Sequence, residues 1–204
     1  KKKSVLVWNE DLPVIGSQSS PRAADLNEDG VLDIVMGAGK NEEQPSEQGV
    51  LAIDGKTGKI LWQQDATDQV YGSATFYDVT GDGIPEIFIG GRSPNFKALN
   101  GKTGEVLWQY VYAQHEHDSI LQYARYNFNN SVLVPDQNND GLKDLLLRTS
   151  IRPGGGYWFD PSGGCATCPT LGLALATGNK TAPFTVVNSG VQQGRSPTFA
   201  GDFN

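Results

Sequence analysis

No stretch of this sequence approaches the run of about eighteen apolar residues that a bilayer-spanning helix needs. Positive charge is also in short supply. Lys and Arg total 16 against 23 Asp and Glu, a formal net charge of -7, which argues against the footprint of a nucleic-acid or anionic-membrane binder. Histidine and cysteine occur twice each, and each pair is confined to one short stretch. Methionine occurs once, whereas there are 25 Gly and 11 Pro, a composition that predicts turns and strands and little room for long helices. The opening KKKSVLVWNE is basic but lacks the apolar core of a secretory signal, so it fits a mature N-terminus or a cut. At 204 residues the chain can bury a sizeable core, as one large domain or two small ones.

What the sequence does contain is repetition. Asp25-Leu-Asn27-Glu-Asp29-Gly30-Val31-Leu-Asp33 returns as Asp78-Val-Thr80-Gly-Asp82-Gly83-Ile84-Pro-Glu86 and as Asp136-Gln-Asn138-Asn-Asp140-Gly141-Leu142-Lys-Asp144. The starts lie 53 and 58 residues apart, and a fourth copy begins at Asp202-Phe-Asn204. A second motif interleaves with the first. LAIDGKTGKILWQ (51–63) matches KALNGKTGEVLWQ (97–109) 46 residues on, with a decayed third copy in YWFDPSGG (157–164). Trp8 stands ahead of the first acidic loop much as Trp62 stands ahead of the second.

Each repeat reads as strands. VLDIVMG, IPEIFIGG and LKDLLLRT follow the acidic loops; GVLAID and FKALN come next, each ending in an Asp/Asn-Gly turn suited to a tight hairpin; GKILWQQ and GEVLWQY return from it. YGSATFYD leads into the next loop. About four antiparallel strands per repeat of roughly 50 residues is the size of a β-propeller blade. A single sheet of that kind cannot bury both faces alone, so the blades must stack. A two-sheet sandwich would not produce two motifs in fixed alternation.

The acidic loops have the chemistry of a calcium clip. A hard cation takes six to eight oxygen ligands from alternate positions of a tightly turning backbone. Side-chain oxygens stand at positions 1, 3 and 5: Asp25, Asn27 and Asp29; Asp78, Thr80 and Asp82; Asp136, Asn138 and Asp140. Glycine at position 6 permits the turn. Position 7 would offer a backbone carbonyl (Val31, Ile84, Leu142) and position 9 a carboxylate (Asp33, Glu86, Asp144). The loops are not EF-hands, because position 12 is Met36, Ile89 or Leu147 inside a strand, where an EF-hand needs a bidentate Glu. A single such loop could instead be a solvated turn, since Asp, Asn and Gly populate turns without any metal. Three in-phase copies favour the metal, with Thr80 making the middle site the poorest. Nine of the 23 acidic residues hold liganding positions, and three calcium ions would bring -7 to about -1.

The DxNxDGxxD loop entering an apolar strand resembles the FG-GAP/VCBS repeat family, the calcium-loop blades of integrin-α-like propellers. TFAGDFN (198–204) resembles the lead-in to another such repeat. The pattern Ala52, Asp54, Thr57, Gly58, Trp62 resembles the tryptophan-docking motif of pyrroloquinoline-quinone-type propellers; its second copy, Ala98 to Trp108, carries Asn100 for Asp. The resemblances cover residues 5–150 well and the remainder poorly. They imply a fold and a metal, and a Trp stacked between blades, but no particular activity. A quinone dehydrogenase would further need a base and a near-complete ring; no candidate base stands out, so no enzyme is expected.

Smaller features carry competing readings. His115 and His117 in QHEHD would share one face of a strand and suit zinc or copper, and they lie in an insertion, where function often sits, but the favoured reading is an exposed polar loop. Cys165-Ala-Thr-Cys168-Pro lacks the second pair of a zinc site and the His of haem attachment; a local disulfide in an oxidising compartment is the favoured reading. Asn129 and Asn179 head glycosylation sequons.

The expectation is therefore an all-β chain, a β-propeller or part of one, of about three and a half blades with repeats near 5–63, 64–109, 110–165 and 166–204. Both ends fall mid-repeat, so the expectation is a portion of a longer protein, or edges closed by another chain. The expected role is an extracytoplasmic calcium-binding scaffold, secreted, periplasmic or at a cell surface, with a protein partner and no nucleic acid. The alternative is carbohydrate recognition through aromatics such as Tyr126, Tyr157 and Trp158.

Overall fold

The computed structural model describes residues 5–13, 15–92, 96–109, 124–136, 141–153 and 170–174. Every regular element among them is a strand. β1 (Arg22–Ala24), β2 (Asp33–Gly37), β3 (Ser46–Ile53) and β4 (Ile60–Ala66) form one antiparallel sheet in that order, blade 1. β5 (Thr75–Tyr77), β6 (Glu86–Gly90), β7 (Phe96–Leu99) and β8 (Val106–Gln109) repeat the plan as blade 2. β9 (Ala124–Val134), β10 (Asp144–Pro153) and β11 (Thr170–Ala174) form a third sheet of consecutive neighbours, with a bulge between Leu147 and Thr149. The strands expected after each acidic loop are all present.

Alternation along the strands lets one blade bury both faces. In β3, Val50 and Ala52 join Val35, Leu26 and Trp62 in a core shared with Val70, Ile84, Ile87, Ile89 and Leu99 of blade 2 and its lead-in. Leu51 and Ile53 point the other way, into a smaller cluster against Trp8, Leu12 and Ile15. Each fully buried aliphatic or aromatic side chain contributes about 1.5–3 kcal/mol, so the shared core is what holds blade 1 to blade 2. The opposite face of blade 2 is aromatic. Phe96 lies 5.5 Å from Phe128 of β9 and 5.9 Å from Trp108, ring centre to ring centre. Backbone bonds stitch both seams at equivalent places: Val70 N–H donates to Ala38 O at 2.9 Å, and Phe128 N–H to Gly91 O at 2.7 Å. Blade 1 and the lead-in to blade 2 approach closely there, since a Cβ on Gly37 would sit 2.4 Å from Val70 O.

In such a meander, alternate connections fall at the same end. The acidic β1–β2 loops therefore share an end with the β3–β4 turns, and the β2–β3 and β4–β5 connections lie at the other.

Candidate functional site

The three acidic loops share one hydrogen bond among the described residues. In each, the glycine at position 6 donates its N–H to the carboxylate at position 1: Gly30 to Asp25 Oδ2 at 3.0 Å, Gly83 to Asp78 Oδ2 at 3.0 Å, Gly141 to Asp136 Oδ2 at 2.9 Å. These glycines have φ of 81°, 91° and 88°, the left-handed region that a Cβ disfavours. Position 5 then accepts from position 7, Val31 N–H to Asp29 Oδ1 at 2.9 Å and Ile84 N–H to Asp82 Oδ1 at 2.8 Å. Asn27 Oδ1 accepts from Asp29 N–H at 3.0 Å. One difference concerns position 4, where Glu28 takes φ of 62° and its counterpart Gly81 takes 74°. Asn138 and Asp140 lie outside the described residues.

One atom of the first loop stands apart. Asp25 Oδ1 is buried and has no hydrogen-bond partner, while its twin Oδ2 is held by Gly30. In the second loop both oxygens of Asp78 accept N–H groups, from Gly81 at 2.7 Å and Gly83 at 3.0 Å. Among the described residues no group of three or more His, Cys, Asp and Glu side chains converges as a ready-made metal cluster.

The position-9 carboxylates also anchor the loops. Asp33, fully buried, accepts Leu26 N–H on Oδ2 at 2.9 Å and Gly55 N–H on Oδ1 at 3.0 Å. Glu86 accepts Val79 N–H at 2.7 Å and the Thr80 hydroxyl at 3.2 Å. Each carboxylate oxygen keeps a second lone pair, so these bonds leave coordination chemically open.

Gly55 belongs to the second motif, and here the structure corrects the tight-hairpin expectation. The β3–β4 connection spans residues 54–59 and is no two-residue Asp-Gly turn. Asp54 Oδ1 accepts N–H from Lys56 at 2.8 Å and Thr57 at 2.7 Å, and Gly58 N–H donates to Asp54 O at 2.8 Å. The aspartate thus caps a helical-type turn that ends on Gly58, whose φ is 78°. The Thr57 N–H bond holds the Asp54 carboxyl below the ordinary carboxylate value against the opposing effect of desolvation, with the Lys56 N–H bond adding to it. Asn100 does the same in blade 2, accepting from Lys102 at 3.0 Å and Thr103 at 2.9 Å. Gly55 and Gly101 serve close approach: a Cβ there would lie 1.9 Å from Leu32 O and 2.1 Å from Pro85 O.

Each turn receives a tryptophan from earlier in the chain. Trp8 Nε1 donates to Gly55 O at 2.7 Å and Trp62 Nε1 to Gly101 O at 2.9 Å. The indoles lie on Gly58 and Gly104, where an added Cβ would meet ring carbons at 2.7 Å and 2.5 Å. The chain matches the FAM234A/B β-propeller family over residues 22–153, from the first residue of β1 to the last of β10. It belongs to the FAM234A/B β-propeller family. No curated protein matches it. The fold is thus a β-propeller architecture of four-stranded antiparallel blades.

At the opposite end of this FAM234A/B propeller lies a cluster that sequence reasoning missed. Arg92 sits 2.9 Å from Glu42, 3.5 Å from Glu43 and 3.8 Å from buried Asp68, linking the β2–β3 loop to the seam. Asp68 Oδ1 accepts N–H from Glu43 at 2.8 Å and Gln69 at 2.7 Å. These residues belong to neither recurring motif, so no repeat pointed to them. The remaining sequence candidates, His115, His117, Cys165, Cys168, Tyr157, Trp158 and Asn179, lie outside the described residues. Asn129 falls in β9 at the bulge. Among the described residues no helix is long and apolar enough to cross a membrane.

Proposed function

We propose that the chain is an extracytoplasmic, calcium-loaded propeller that acts as a scaffold or protein-interaction module, with no catalytic chemistry of its own. One observation carries the calcium reading: Asp25 Oδ1 is buried without a partner at the first liganding position. A buried oxygen of that kind costs about 1–3 kcal/mol unless something meets it, and a cation meets it. The donor set agrees, being all oxygen: Asp25, Asn27, Asp29 and Asp33 by side chain and Val31 by carbonyl, with Asp78 to Glu86 and Asp136 to Asp144 in the same order. The spacing resembles that of FG-GAP/VCBS repeats. A bound ion would supply charge neutralisation and a clip across each loop, which is structural work. Loops of this sort fill where calcium is near millimolar, which supports a compartment outside the cytoplasm.

The test is calcium titration of chelator-treated protein by calorimetry, with melting followed in parallel. Binding should raise the melting temperature, by an amount equivalent to about 2.7 kcal/mol for each loop filled at a hundredfold excess over its Kd. Asp25→Asn should remove one site and leave the others. No heat and no change in melting would reduce all three loops to turns.

A further inference from the structure

The two turns that receive a tryptophan differ in chemistry. Asp54-Gly55 in blade 1 is Asn100-Gly101 in blade 2, and no other Asn of the chain precedes a Gly. The side-chain amide carbon of an asparagine is an electrophile, and the backbone nitrogen of the next residue is a nucleophile within reach. A following glycine offers that nitrogen no hindrance from a side chain.

The turn of blade 2 assembles these parts. Asn100 Oδ1 accepts from Lys102 N–H at 3.0 Å, Thr103 N–H at 2.9 Å and the Thr103 hydroxyl at 3.2 Å. Three donors on one oxygen polarise the amide carbon and meet the charge that gathers on Oδ1 during attack, as an oxyanion hole does. The bond to Lys102 closes a ring that contains the Gly101 nitrogen, so Cγ and the nucleophile are held together. Asn100 is half-buried and Lys102 and Thr103 are exposed, which gives water access.

The blades part company at the nitrogen. Gly55 N–H is held by Asp33 Oδ1 at 3.0 Å. Glu86, one carbon longer than Asp33, turns its oxygens instead to Val79 N–H at 2.7 Å and to the Thr80 N–H and hydroxyl, both at 3.2 Å. Among the described residues nothing accepts Gly101 N–H, although Gly101 is buried. A buried donor without a partner is costly, and bond formation at that nitrogen removes the donor.

We propose that Asn100 is a site of self-modification, at which the folded turn deamidates its own asparagine with water as co-reactant. Gly101 N gives its proton to solvent and bonds to Asn100 Cγ. The Cγ–Nδ2 bond breaks, ammonia leaves with a proton from water, and a five-membered cyclic imide remains. Water then opens the imide at either carbonyl. One opening leaves an aspartate at position 100, the residue type of the sister turn. The other leaves isoaspartate, which lengthens the main chain by one carbon beside Gly101. That glycine has no room to move, since a Cβ on it would lie 2.1 Å from Pro85 O, and its carbonyl holds Trp62 Nε1. The isoaspartyl form therefore loosens the seam between blades 1 and 2.

The test is prolonged incubation of the folded chain at neutral pH, followed by peptide mapping. A gain of about 1 Da should appear first at Asn100, with fragmentation that reveals isoaspartate. Asp54→Asn places the same dipeptide in the sister turn, where Asp33 still holds Gly55 N–H. It should convert about tenfold more slowly than Asn100, or about 1.4 kcal/mol of barrier, the size of one such bond. Glu86→Asp, which copies the blade 1 arrangement, should slow Asn100 to match. A synthetic peptide of residues 96–105, FKALNGKTGE, sets the rate without the fold. If Asn100 stays intact in the folded chain while the peptide converts, the turn shields the amide and the proposal is overturned. Equal rates at the two turns would also overturn it, because the unheld nitrogen would then confer nothing.

Discussion

The tightest coupling between sequence and architecture is at Gly104, and Gly104→Ala puts a magnitude on it. Its φ of 75° is left-handed, which costs an alanine about 1–2 kcal/mol. The new Cβ would also lie 2.5 Å from Trp62 Cδ2 and 2.7 Å from Cε3, about an ångström short of ordinary contact. Trp62 is a poor candidate to yield, being 8 % exposed and packed in the core that joins blades 1 and 2. Displacing it strains that core by about 1–3 kcal/mol and puts at risk the bond to Gly101 O, worth about 1 kcal/mol. The total is about 3–6 kcal/mol, a large part of an ordinary domain's stability. Gly81→Ala is the control. Its φ is 74°, nothing lies within 4 Å of its Cβ position, and the first loop already carries Glu28 there. It should cost about 1–2 kcal/mol at most. Urea denaturation monitored by tryptophan fluorescence measures both. If Gly104→Ala is no worse than Gly81→Ala, the indole does not need the bare glycine and the docking argument fails.

Asp33→Ala should destabilise by about 3–5 kcal/mol in urea, because it strands the buried N–H of Leu26 and the part-buried N–H of Gly55 together. Asp29→Ala, at an exposed loop position, should cost far less in metal-free protein. Asp54 gives a pH signature. Its folded pKa is depressed, so its contribution is present above the unfolded carboxyl pKa of about 3.9 and is lost as pH falls through the folded value. Asp54→Asn, which copies the Asn100 turn, should therefore lose less melting temperature between neutral pH and the acid limb than the parent. Trp62→Phe keeps most of the apolar contact but leaves Gly101 O without its donor, for a loss of about 1–3 kcal/mol in the same urea assay.

The blades were legible because each repeats one physical solution. A left-handed glycine after alternating oxygens, then a strand whose two faces are both buried, leaves a pattern that survives divergence elsewhere. Features that need knowledge of what lies across a gap were not legible. Asp-Gly at 54–55 looks like a hairpin turn until Asp54 is seen capping Lys56 and Thr57, and Gly55 is seen against Leu32 O. The Arg92–Glu42–Asp68 cluster stands outside the recurring motifs, and its partners are separated by tens of residues, so spacing carried no signal. Asp33 illustrates a third kind of shortfall. Its residue type suited a ligand, and only the fold revealed that it also ties the loop to the turn.

That tie makes the two motifs one unit. From outside inward the links run from Trp8 Nε1–H to Gly55 O, from Gly55 N–H to Asp33, and from Asp33 to Leu26 N–H at the start of the acidic loop. Anything that stiffens the loop stiffens the turn on which the preceding element docks. Calcium in the first loop should then slow amide exchange at Gly55 and restrain Trp8, though neither residue is a ligand candidate. The chain of bonds has a single point of failure in Asp33, since no other described side chain accepts from Gly55 N–H. Asp33→Asn, checked by calorimetry to retain calcium in the first loop, separates the possibilities, because the amide offers an acceptor at only one of the two oxygen positions that Leu26 and Gly55 N–H use. If calcium still protects Trp8 in that variant, loop and turn communicate by another route and the carboxylate is only a brace.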